Sequence, residues 1–504
     1  MSAPSYWGTA AAAALLAAAP LVVFLTGNAY PLASPEAGAL LAACVAAGAV
    51  LGLSAFLGAT VAALLLGAGA VLALDLLFGL QASKAALVLV PLACLVLRRH
   101  IALIITATLC VLLLAMLVPR TAFARSDRPV MLHLILDEHI GLEGIPRELP
   151  EGAAFARWLA DAWVGHGFRV YAGAYSEYFD TRNSIANLLN FSSHGDDWAH
   201  LAEEQKKPYV LTESAYFRLL AARGYRLHVY QSDYMDFCRV PGVSYAGCTA
   251  YRANSIAALR RTRLGARERA QFILNSFLAT SSYLKRLSAL VDYEAVSRVG
   301  PLAVVPVLQR LENDLRRAEP GDAYFAHLLI PHYPYALDES CRVRAEIDEW
   351  LYNAVSPNPQ SPNTEASRAQ RYPRYFAQIR CQQRLLERLF EAMKQAGVWD
   401  DALVVVHGDH GSRIAITAPL AAHAARLTER DLRDGFSTLF AVRKAGMAAG
   451  VAPGARALPQ LLREALGLPV EPLAHKVYLR RAGQRALMPL PRGTGPAPRA
   501  PADR

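Results

Sequence analysis

Apolar residues run almost without interruption through the first 118 positions, whereas apolar and polar stretches alternate through the rest of the chain. A helix needs about 20 apolar residues to cross a bilayer. Five segments approach this length, at 8–26, 36–56, 58–80, 83–97 and 101–118. The pattern predicts an N-terminal helical membrane domain of about five spans over residues 1–118, followed by a linker over 119–128.

Basic residues indicate how these spans would be oriented. Arg98, Arg99 and His100 lie between the fourth and fifth segments, and short basic loops favour the cytoplasmic side. Five spans would then place everything after residue 118 outside, although Arg120 and Arg125 just beyond the last span weigh against this orientation. We expect a multi-pass protein of the cell inner (cytoplasmic) membrane with a large periplasmic domain.

The rest of the chain alternates short apolar runs with helical patterns. This alternation predicts a mostly parallel central sheet covered by helices on both faces. We expect one α/β domain over 129–484, and a disordered tail over 485–504, which is rich in Pro, Arg and Gly. The predicted strands are 129–136, 168–175, 225–231, 323–330, 402–407 and 436–442, and the clearest predicted helices are 152–165, 212–223, 263–290 and 373–397.

Charge and cysteine content narrow the range of partners and compartments. The net charge is +10, but the arginines are scattered and not interleaved with aromatic residues, so the sequence predicts no nucleic-acid partner. Attraction to anionic lipids and an ordinary solvated surface both remain open. Four cysteines lie beyond the apolar region, which fits two disulfides in an oxidising compartment as well as free thiols. The simplest of three pairings is Cys238–Cys248 with Cys341–Cys381.

Residues with metal-binding side chains follow three of the predicted strands. Asp137-Glu138 ends the first strand, Pro331-His332 follows a later one, and Gly408-Asp409-His410-Gly411 follows another. The carboxyl ends of parallel strands meet at one edge of the sheet, where ligands bind. Carboxylates and imidazoles suit Mn²⁺ or Zn²⁺, and Mg²⁺ or Ca²⁺ if oxygen ligands dominate. The sequence thus predicts a divalent-metal site with Asp137, Glu138, Asp409 and His410 as candidate ligands.

These motifs resemble those of a known superfamily. Asp409-His410-Gly411 is similar to the Asp-His-Gly element of sulfatases and their phosphotransferase relatives, and Asp137-Glu138 to their first metal-binding element. The segment from His327 to Tyr335 is similar to the histidine segment on their substrate side. The order of elements agrees over residues 129–445. The resemblance implies a metal-dependent enzyme with the α/β sandwich of the alkaline-phosphatase/sulfatase superfamily.

The same resemblance indicates a nucleophile. In residues 181–191, Thr181 falls on the position of the sulfatase nucleophile and Ser184 on the serine that follows it, whereas the expected Pro, Arg and Gly are absent. Threonine cannot be converted to formylglycine, which disfavours sulfate-ester cleavage by that route. A threonine nucleophile is typical of membrane phosphoethanolamine transferases and of lipoteichoic-acid synthases, which transfer phosphoglycerol. Those families also have five membrane spans before an external catalytic domain.

By this resemblance Asp137, Thr181, Asp409 and His410 would bind the metal, and Thr181 would attack the head-group phosphate of a phospholipid donor. Diacylglycerol would leave, and the head group, phosphoethanolamine or phosphoglycerol, would pass to a glycan or lipid acceptor of the cell envelope. His332 would contact the phosphate or protonate a leaving group, and His327 is a weaker candidate for the same task.

Alternatives remain open at the level of sequence. The same metal site could serve a phosphatase, a phosphodiesterase or a sulfatase-like hydrolase in the membrane, and a degenerate domain could have a structural role. Thr181 could serve only as a helix N-cap, and Glu138 could begin a helix. His407 and Arg413, which flank the Asp-His pair, are candidates for substrate contact.

Overall fold

The chain folds into two units that are not contiguous in sequence. In the computed structural model, the first unit comprises Met1–Arg120 with Asn254–Arg298, and the second Thr121–Ala253 with Val299–Arg504. Residues 254–298, which the sequence analysis places inside the catalytic domain, therefore group with the first unit. The structure describes residues 3–27, 30–53, 56, 59–78, 127–203, 208–251, 256, 259, 265–278, 281, 283–284, 300–345, 363–472 and 475–491.

The first unit contains helices Ala3–Gly27, Pro35–Leu53, Ala59–Phe78 and Ala266–Leu278. Among the described residues, Pro35–Leu53 is the one helix long and apolar enough to cross a bilayer. The prediction of five spans is therefore not supported. The other apolar helical stretches, Ala13–Thr26 and Leu64–Ala73, are shorter than the about 20 residues required. The predicted spans 83–97 and 101–118 lie outside the described residues.

Buried acids explain why residues 254–298 belong to the first unit. Glu36, which begins an apolar helix, pairs with Arg269 at 3.0 Å between Oε1 and Nε. Asp75 accepts a hydrogen bond of 2.6 Å from the Ser281 hydroxyl. A buried carboxylate is costly without such partners. The two acids of the apolar region thus find their partners in a segment that follows far along the chain.

The second unit is built on an eight-stranded sheet, which confirms the predicted mostly parallel architecture. The strands lie in the order β10-β2-β9-β8-β1-β7-β4-β6, and β9 is antiparallel to both of its neighbours. The strands are β1 Met131–Leu136, β2 Arg169–Tyr175, β3 Tyr209–Val210, β4 Arg226–Ser232, β5 Met235–Asp236, β6 Tyr245–Tyr251, β7 Asp322–Leu328, β8 Leu403–Gly408, β9 Phe440–Arg443, β10 Gly450–Ala457, β11 Lys476–Leu479 and β12 Met488–Pro491.

Helices cover the sheet because both faces of its central strands are apolar. In β1, Met131 and Ile135 lie on one face and Leu132 and Leu134 on the other, and all are buried. The first face packs in a core that includes Ile185 of the helix that follows β2. The helices of this unit are Gly152–Gly165, Thr181–Leu188, Ala215–Ala222, Gly300–Leu315, Glu365–Gln395, Glu429–Phe436 and Leu458–Ala465, with a 3₁₀ helix at Ala421–Arg426.

Two sequence predictions at the periphery have different outcomes. The disulfides Cys238–Cys248 and Cys341–Cys381 are confirmed. The disordered tail predicted over 485–504 is wrong at its start, because β12 pairs with β11 in an antiparallel ladder. Met488 and Leu490 alternate with prolines and supply the apolar face of that strand. The prolines around them made the segment look unlike a strand in the sequence. Residues 492–504 lie outside the described residues.

A buried ion pair joins the long helix Glu365–Gln395 to the helix Glu429–Phe436, and its loss should destabilise the unit. Arg368 contacts the Asp434 carboxylate, and both side chains are 1% exposed. Replacing Arg368 with Ala leaves a buried charge without its partner, which costs about 3–5 kcal/mol. Urea unfolding followed by tryptophan fluorescence should show this loss.

The matched control is Arg388→Ala on the same helix. Arg388 pairs with Glu312 at 2.6 Å, but its side chain is 50% exposed. Surface pairs contribute about 1 kcal/mol or less. Equal losses for the two variants would contradict the importance assigned to burial of the Arg368 pair.

Candidate active site

The central strands bring the predicted metal ligands to one edge of the sheet. The register aligns Ile135 of β1 with His327 of β7 and with His407 of β8. Side chains two residues apart in a strand lie on the same face. Asp137 and Asp409, each two residues beyond this aligned row, therefore emerge side by side at the carboxyl end of the sheet.

Asp137, His327 and Asp409 form a buried group whose ligand atoms lie within 4.8 Å of one another. The closest approach between His327 and Asp137 is 3.4 Å, from Nε2 to Oδ2. Within the described structure, Asp137 Oδ1, Asp409 Oδ2 and both nitrogens of His327 have no hydrogen-bond partner. Buried polar atoms are rarely left unsatisfied. A divalent cation among these oxygens and the imidazole would satisfy them, so the residues present fit the predicted metal.

Backbone donors fix the orientation of the Asp409 carboxylate. Its Oδ1 accepts hydrogen bonds from the backbone N–H groups of Glu138 and His410, each at 2.9 Å. This leaves Oδ2, which lies 3.4 Å from the Nε2 atom of His410. The His410 Nδ1 atom donates to the Gly411 carbonyl at 2.9 Å, so Nε2 carries no proton when the ring is neutral. That is the tautomer that a metal-binding histidine requires.

Close backbone contacts explain the two glycines that flank this Asp-His pair. A Cβ atom on Gly408 would lie 2.5 Å from the His139 carbonyl oxygen, and one on Gly411 would lie 2.2 Å from the Asp434 carbonyl oxygen. Neither position can accept a larger residue without backbone movement. The glycines thus allow the loop after β8 to pack directly on the neighbouring loops.

Thr181 is the first residue of its helix, and its side chain does not cap it. The N-cap is Asp180, whose carboxylate accepts from the Asn183 backbone N–H at 3.2 Å. The Thr181 hydroxyl is instead 3.5 Å from the His410 Nε2 atom. The capping alternative for Thr181 is therefore not what the structure shows. Its hydroxyl lies beside the metal-ligand group at the N-terminus of a helix, where negative charge is stabilised.

Ser184 and Arg182 position this helix. The Ser184 hydroxyl donates to the Asp409 carbonyl at 2.5 Å, which ties the helix to the loop after β8. Arg182 contacts Asp180 at 3.3 Å and Asp197 at 3.6 Å, and its guanidinium stacks 4.2 Å from the Trp198 ring. The segment that carries Thr181 is thus held on two sides.

Glu138 belongs to a second group with His332 and Arg413. Its Oε1 lies 2.8 Å from the Arg413 Nε atom and 3.4 Å from the His332 Nε2 atom. Asp137, Glu138 and His332 also have ligand atoms within 4.8 Å of one another. Glu138 has a φ of +64°, in a turn, and does not begin a helix. Its predicted role as a metal ligand stays a prediction, because an arginine already compensates its charge.

Electrostatics favour the ionised form of Asp137. Burial would raise the pKa of the Asp137 carboxyl, but the nearby imidazoles of His332, His327 and His410 outweigh burial and hold it below its usual value. Burial would lower the pKa of Arg413, but Glu138 and its neighbours raise it above the ordinary value. The site therefore offers both an anionic group for a cation and a cationic side chain for an anion.

Gln378 is buried, and it holds the loop that carries His332 in place. The sequence predicted no role for it. The Gln378 amide nitrogen donates to the carbonyl oxygens of Pro331, His332 and Pro334 at 3.0, 2.9 and 3.3 Å. Its amide oxygen accepts from the Leu337 N–H at 3.1 Å. Gln378 lies in the predicted helix 373–397, for which the sequence indicated only helical periodicity. Its function depends on carbonyl groups whose directions no sequence pattern reveals.

His407, which the sequence offered as a candidate for substrate contact, instead makes hydrogen bonds inside the protein. Its Nε2 lies 2.8 Å from the His133 Nε2 atom, and its Nδ1 donates to the Gly408 carbonyl at 2.7 Å. The Tyr216 hydroxyl lies 2.8 Å from the other His133 nitrogen. Burial lowers the pKa of His407 to about 4. Both rings are thus neutral members of a hydrogen-bonded chain inside the sheet, whereas Arg413 reaches the site.

Glu177, four residues before Thr181, should make stability depend on pH. Burial raises the pKa of its carboxyl from 4.5 to about 7. The folded protein therefore binds this proton more tightly than the unfolded chain, and the favourable contribution present below pH 4.5 is lost as pH rises towards 7. Glu177→Gln removes this loss, which amounts to about 3 kcal/mol at most. Melting curves should show the variant more stable than the parent at pH 8.

The comparison at pH 5 serves as the control. There the parent carboxyl is mostly protonated in the folded state, so the two proteins should melt within a few degrees of each other. A stability difference that stays constant between pH 5 and pH 8 would contradict the raised pKa.

Comparisons with known proteins give structural matches alone. No protein-family model matches the chain, and no curated protein matches it. The C-terminal periplasmic domain of EcEptC from Escherichia coli is 14% identical, with 74% of this chain and 96% of that chain covered and a TM-score of 0.39. That domain has also been solved in complex with Zn.

Two further matches have similar values. The lipoteichoic acid synthase LtaP from Listeria monocytogenes is 12% identical, with 72% of this chain and 74% of that chain covered and a TM-score of 0.37. The putative sulfatase yidJ from Bacteroides fragilis is 13% identical, with 70% and 78% covered and a TM-score of 0.40. At these identities and TM-scores the similarity carries no argument about activity.

Proposed function

We propose that the protein transfers a phospholipid head group, phosphoethanolamine or phosphoglycerol, to a glycan or lipid acceptor of the cell envelope through a phospho-threonine intermediate. The position of the Thr181 hydroxyl carries this proposal. It lies 3.5 Å from the His410 Nε2 atom, and that atom lies 3.4 Å from Asp409 Oδ2, which has no hydrogen-bond partner in the described structure. A hydroxyl in such a setting is an activated nucleophile.

The proposed first step breaks one phosphodiester bond and makes another. The Thr181 oxygen attacks the phosphorus of the donor lipid and loses its proton, and the bond between phosphorus and the diacylglycerol oxygen breaks. Diacylglycerol leaves as an alcohol after taking up a proton. In the second step an acceptor hydroxyl attacks the same phosphorus, and the released Thr181 oxygen regains a proton. Each step conserves the number of phosphate esters, so no oxidant, reductant or nucleotide is needed.

His332 and Arg413 are suited to the charges that change in these steps. The His332 Nδ1 atom donates to the Tyr333 carbonyl, which leaves Nε2 to exchange a proton with a leaving or attacking oxygen. The His332 side chain is 22% exposed, so substrate can reach it. Arg413 lies 3.3 Å from the His410 Nε2 atom and would bind the anionic phosphate, as guanidinium groups commonly do.

Asp137, Asp409, His410 and Thr181 would hold the metal. A divalent cation bound there would supply positive charge that favours the alkoxide form of the nucleophile and stabilises the phosphoryl oxygens. The mixed oxygen and nitrogen donor set favours Zn²⁺ or Mn²⁺ over Mg²⁺ or Ca²⁺. The two carboxylates and the imidazole are almost completely buried, so they would remain in position while substrates exchange.

The remaining parts of the chain support a site outside the cytoplasm. Helix Pro35–Leu53 could anchor the protein in a bilayer, and the two disulfides of the second unit form in oxidising compartments. We infer a protein of the inner membrane with a periplasmic catalytic unit. An enzyme anchored beside its lipid donor would find that donor at high local concentration.

Release of diacylglycerol tests the proposal directly. We expect the full-length protein, added with Mn²⁺ or Zn²⁺ to vesicles of phosphatidylethanolamine and phosphatidylglycerol, to release diacylglycerol, and the depleted lipid to identify the donor. Thr181→Ala should reduce release by at least about 10³-fold, because no nucleophile replaces the hydroxyl. Mass spectrometry of the intact protein should detect the head group on Thr181.

Thr181→Ser is the matched control, since it keeps a hydroxyl and should retain part of the activity. Diacylglycerol release that persists in Thr181→Ala would rule out the threonine mechanism. Release of free phosphoethanolamine or phosphoglycerol without any acceptor would instead favour the hydrolase alternative, in which water takes the head group.

His332→Gln should slow diacylglycerol release without weakening metal binding. Glutamine keeps much of the size of the side chain but cannot exchange a proton, and loss of a general acid or base typically costs about 10²–10⁴-fold in rate. Initial rates, with metal content measured in parallel, should show a lowered rate at unchanged metal content. A normal rate would remove His332 from the mechanism.

A further inference from the structure

We propose that His327 is an additional ligand of the cation held by Asp137 and Asp409. This inference rests on the proposed function, because it concerns the same metal site. It differs from the role that the sequence suggested for His327, which was contact with substrate. The proposal begins from the setting of the ring, which is completely buried and lies in β7, one strand away from Asp137.

The ring of His327 has no hydrogen-bond partner for either nitrogen among the described residues. A histidine can rotate or choose its tautomer to find partners, so two unsatisfied nitrogens in one buried ring are unusual. Leaving a buried polar atom unsatisfied costs free energy. The Nε2 atom is 3.4 Å from Asp137 Oδ2, and that contact lacks the geometry of a hydrogen bond.

Three buried groups with unsatisfied atoms therefore meet at one point. The ligand atoms of Asp137, His327 and Asp409 lie within 4.8 Å of one another. Asp409 directs its free oxygen here because backbone donors occupy the other. A cation coordinated by two carboxylates and an imidazole would satisfy all three residues at once.

The ring is held in place from the backbone side. The Tyr251 hydroxyl donates to the His327 carbonyl at 2.7 Å, and the ladder between β7 and β1 fixes the strand. The Phe237 ring makes an edge contact with the imidazole, with 6.1 Å between centroids. A ligand fixed by a rigid strand loses little entropy when a metal binds.

Substrate contact fits His327 poorly. Its side chain is 0% exposed, whereas that of His332 is 22% exposed. A substrate phosphate can approach His332 from solvent, but it could meet His327 only through the carboxylates in front of it. Those carboxylates would repel the phosphate. His410 lies beside the Asp409 carboxylate. If His327 is a second imidazole ligand, the donor set is richer in nitrogen and thus more selective for Zn²⁺ or Co²⁺ over Mg²⁺.

The test uses the full-length protein loaded with Co²⁺, whose visible absorption reports the ligands around the ion. Affinity is measured by competition with a chelator for the parent, His327→Ala, His410→Ala and His332→Ala. We expect His327→Ala and His410→Ala each to weaken Co²⁺ binding by at least about tenfold and to change the absorption spectrum. His332→Ala removes an imidazole that also belongs to a group with Asp137 but is paired with Glu138, and it should change neither.

The outcomes separate the inference from the function on which it rests. If His410→Ala weakens binding while His327→Ala leaves affinity and spectrum unchanged, His327 is not a ligand and the proposed function stands. If neither variant weakens binding, the proposed metal site itself is wrong. Should His327→Ala fail to fold, His327→Gln keeps the shape of the side chain. A parent-like Co²⁺ spectrum in that variant would overturn the proposal, and a shifted spectrum would support it.

Discussion

Two carboxylates buried side by side set the main physical constraint on the second unit. Asp137 and Asp409 end neighbouring parallel strands on one face of the sheet, and each keeps an oxygen without a hydrogen-bond partner in the described structure. Such a pair is unfavourable unless positive charge lies next to it. A divalent cation between the two carboxylates would provide that positive charge. The chemistry inferred for Thr181 follows from this surplus of negative charge.

The surrounding structure keeps these groups rigid. Close backbone packing at Gly408 and Gly411 fixes the loop that carries Asp409, and the Ser184 hydroxyl ties that loop to the helix Thr181–Leu188. Asp180 caps the same helix, so the Thr181 hydroxyl is free of a capping role and directed at the site. Catalytic groups act only when their geometry is maintained within fractions of an ångström. The buried supports are therefore as necessary to the proposed reaction as the groups that touch substrate.

The strands that have a clear local pattern of apolar residues could be predicted from the sequence. The six predicted strands end within about two residues of β1, β2, β4, β7, β8 and β9, because apolar runs and the polar residues after them mark buried parallel strands. Strands β6 and β10 were missed because Gly, Ala and Pro give them no apolar pattern. The grouping of residues 254–298 with the first unit depends on partners for Glu36 and Asp75 that are distant in sequence. Gln378 and the His133–His407 pair were missed for the same reason.

His327 and His332 show how position in the sheet separates residues that sequence treats alike. Both belong to one segment and carry the same side chain, so the sequence suggested related tasks for them. His327 lies within β7, where the pleat directs its ring into the sheet beside Asp137. His332 lies beyond the strand, in a loop whose backbone carbonyl groups accept hydrogen bonds from Gln378, and its side chain is partly exposed. A buried imidazole can bind a cation, and a partly exposed one can exchange protons with substrate. In the proposed reaction, the two histidines of this segment would therefore have different roles because one lies within the strand and the other beyond its end.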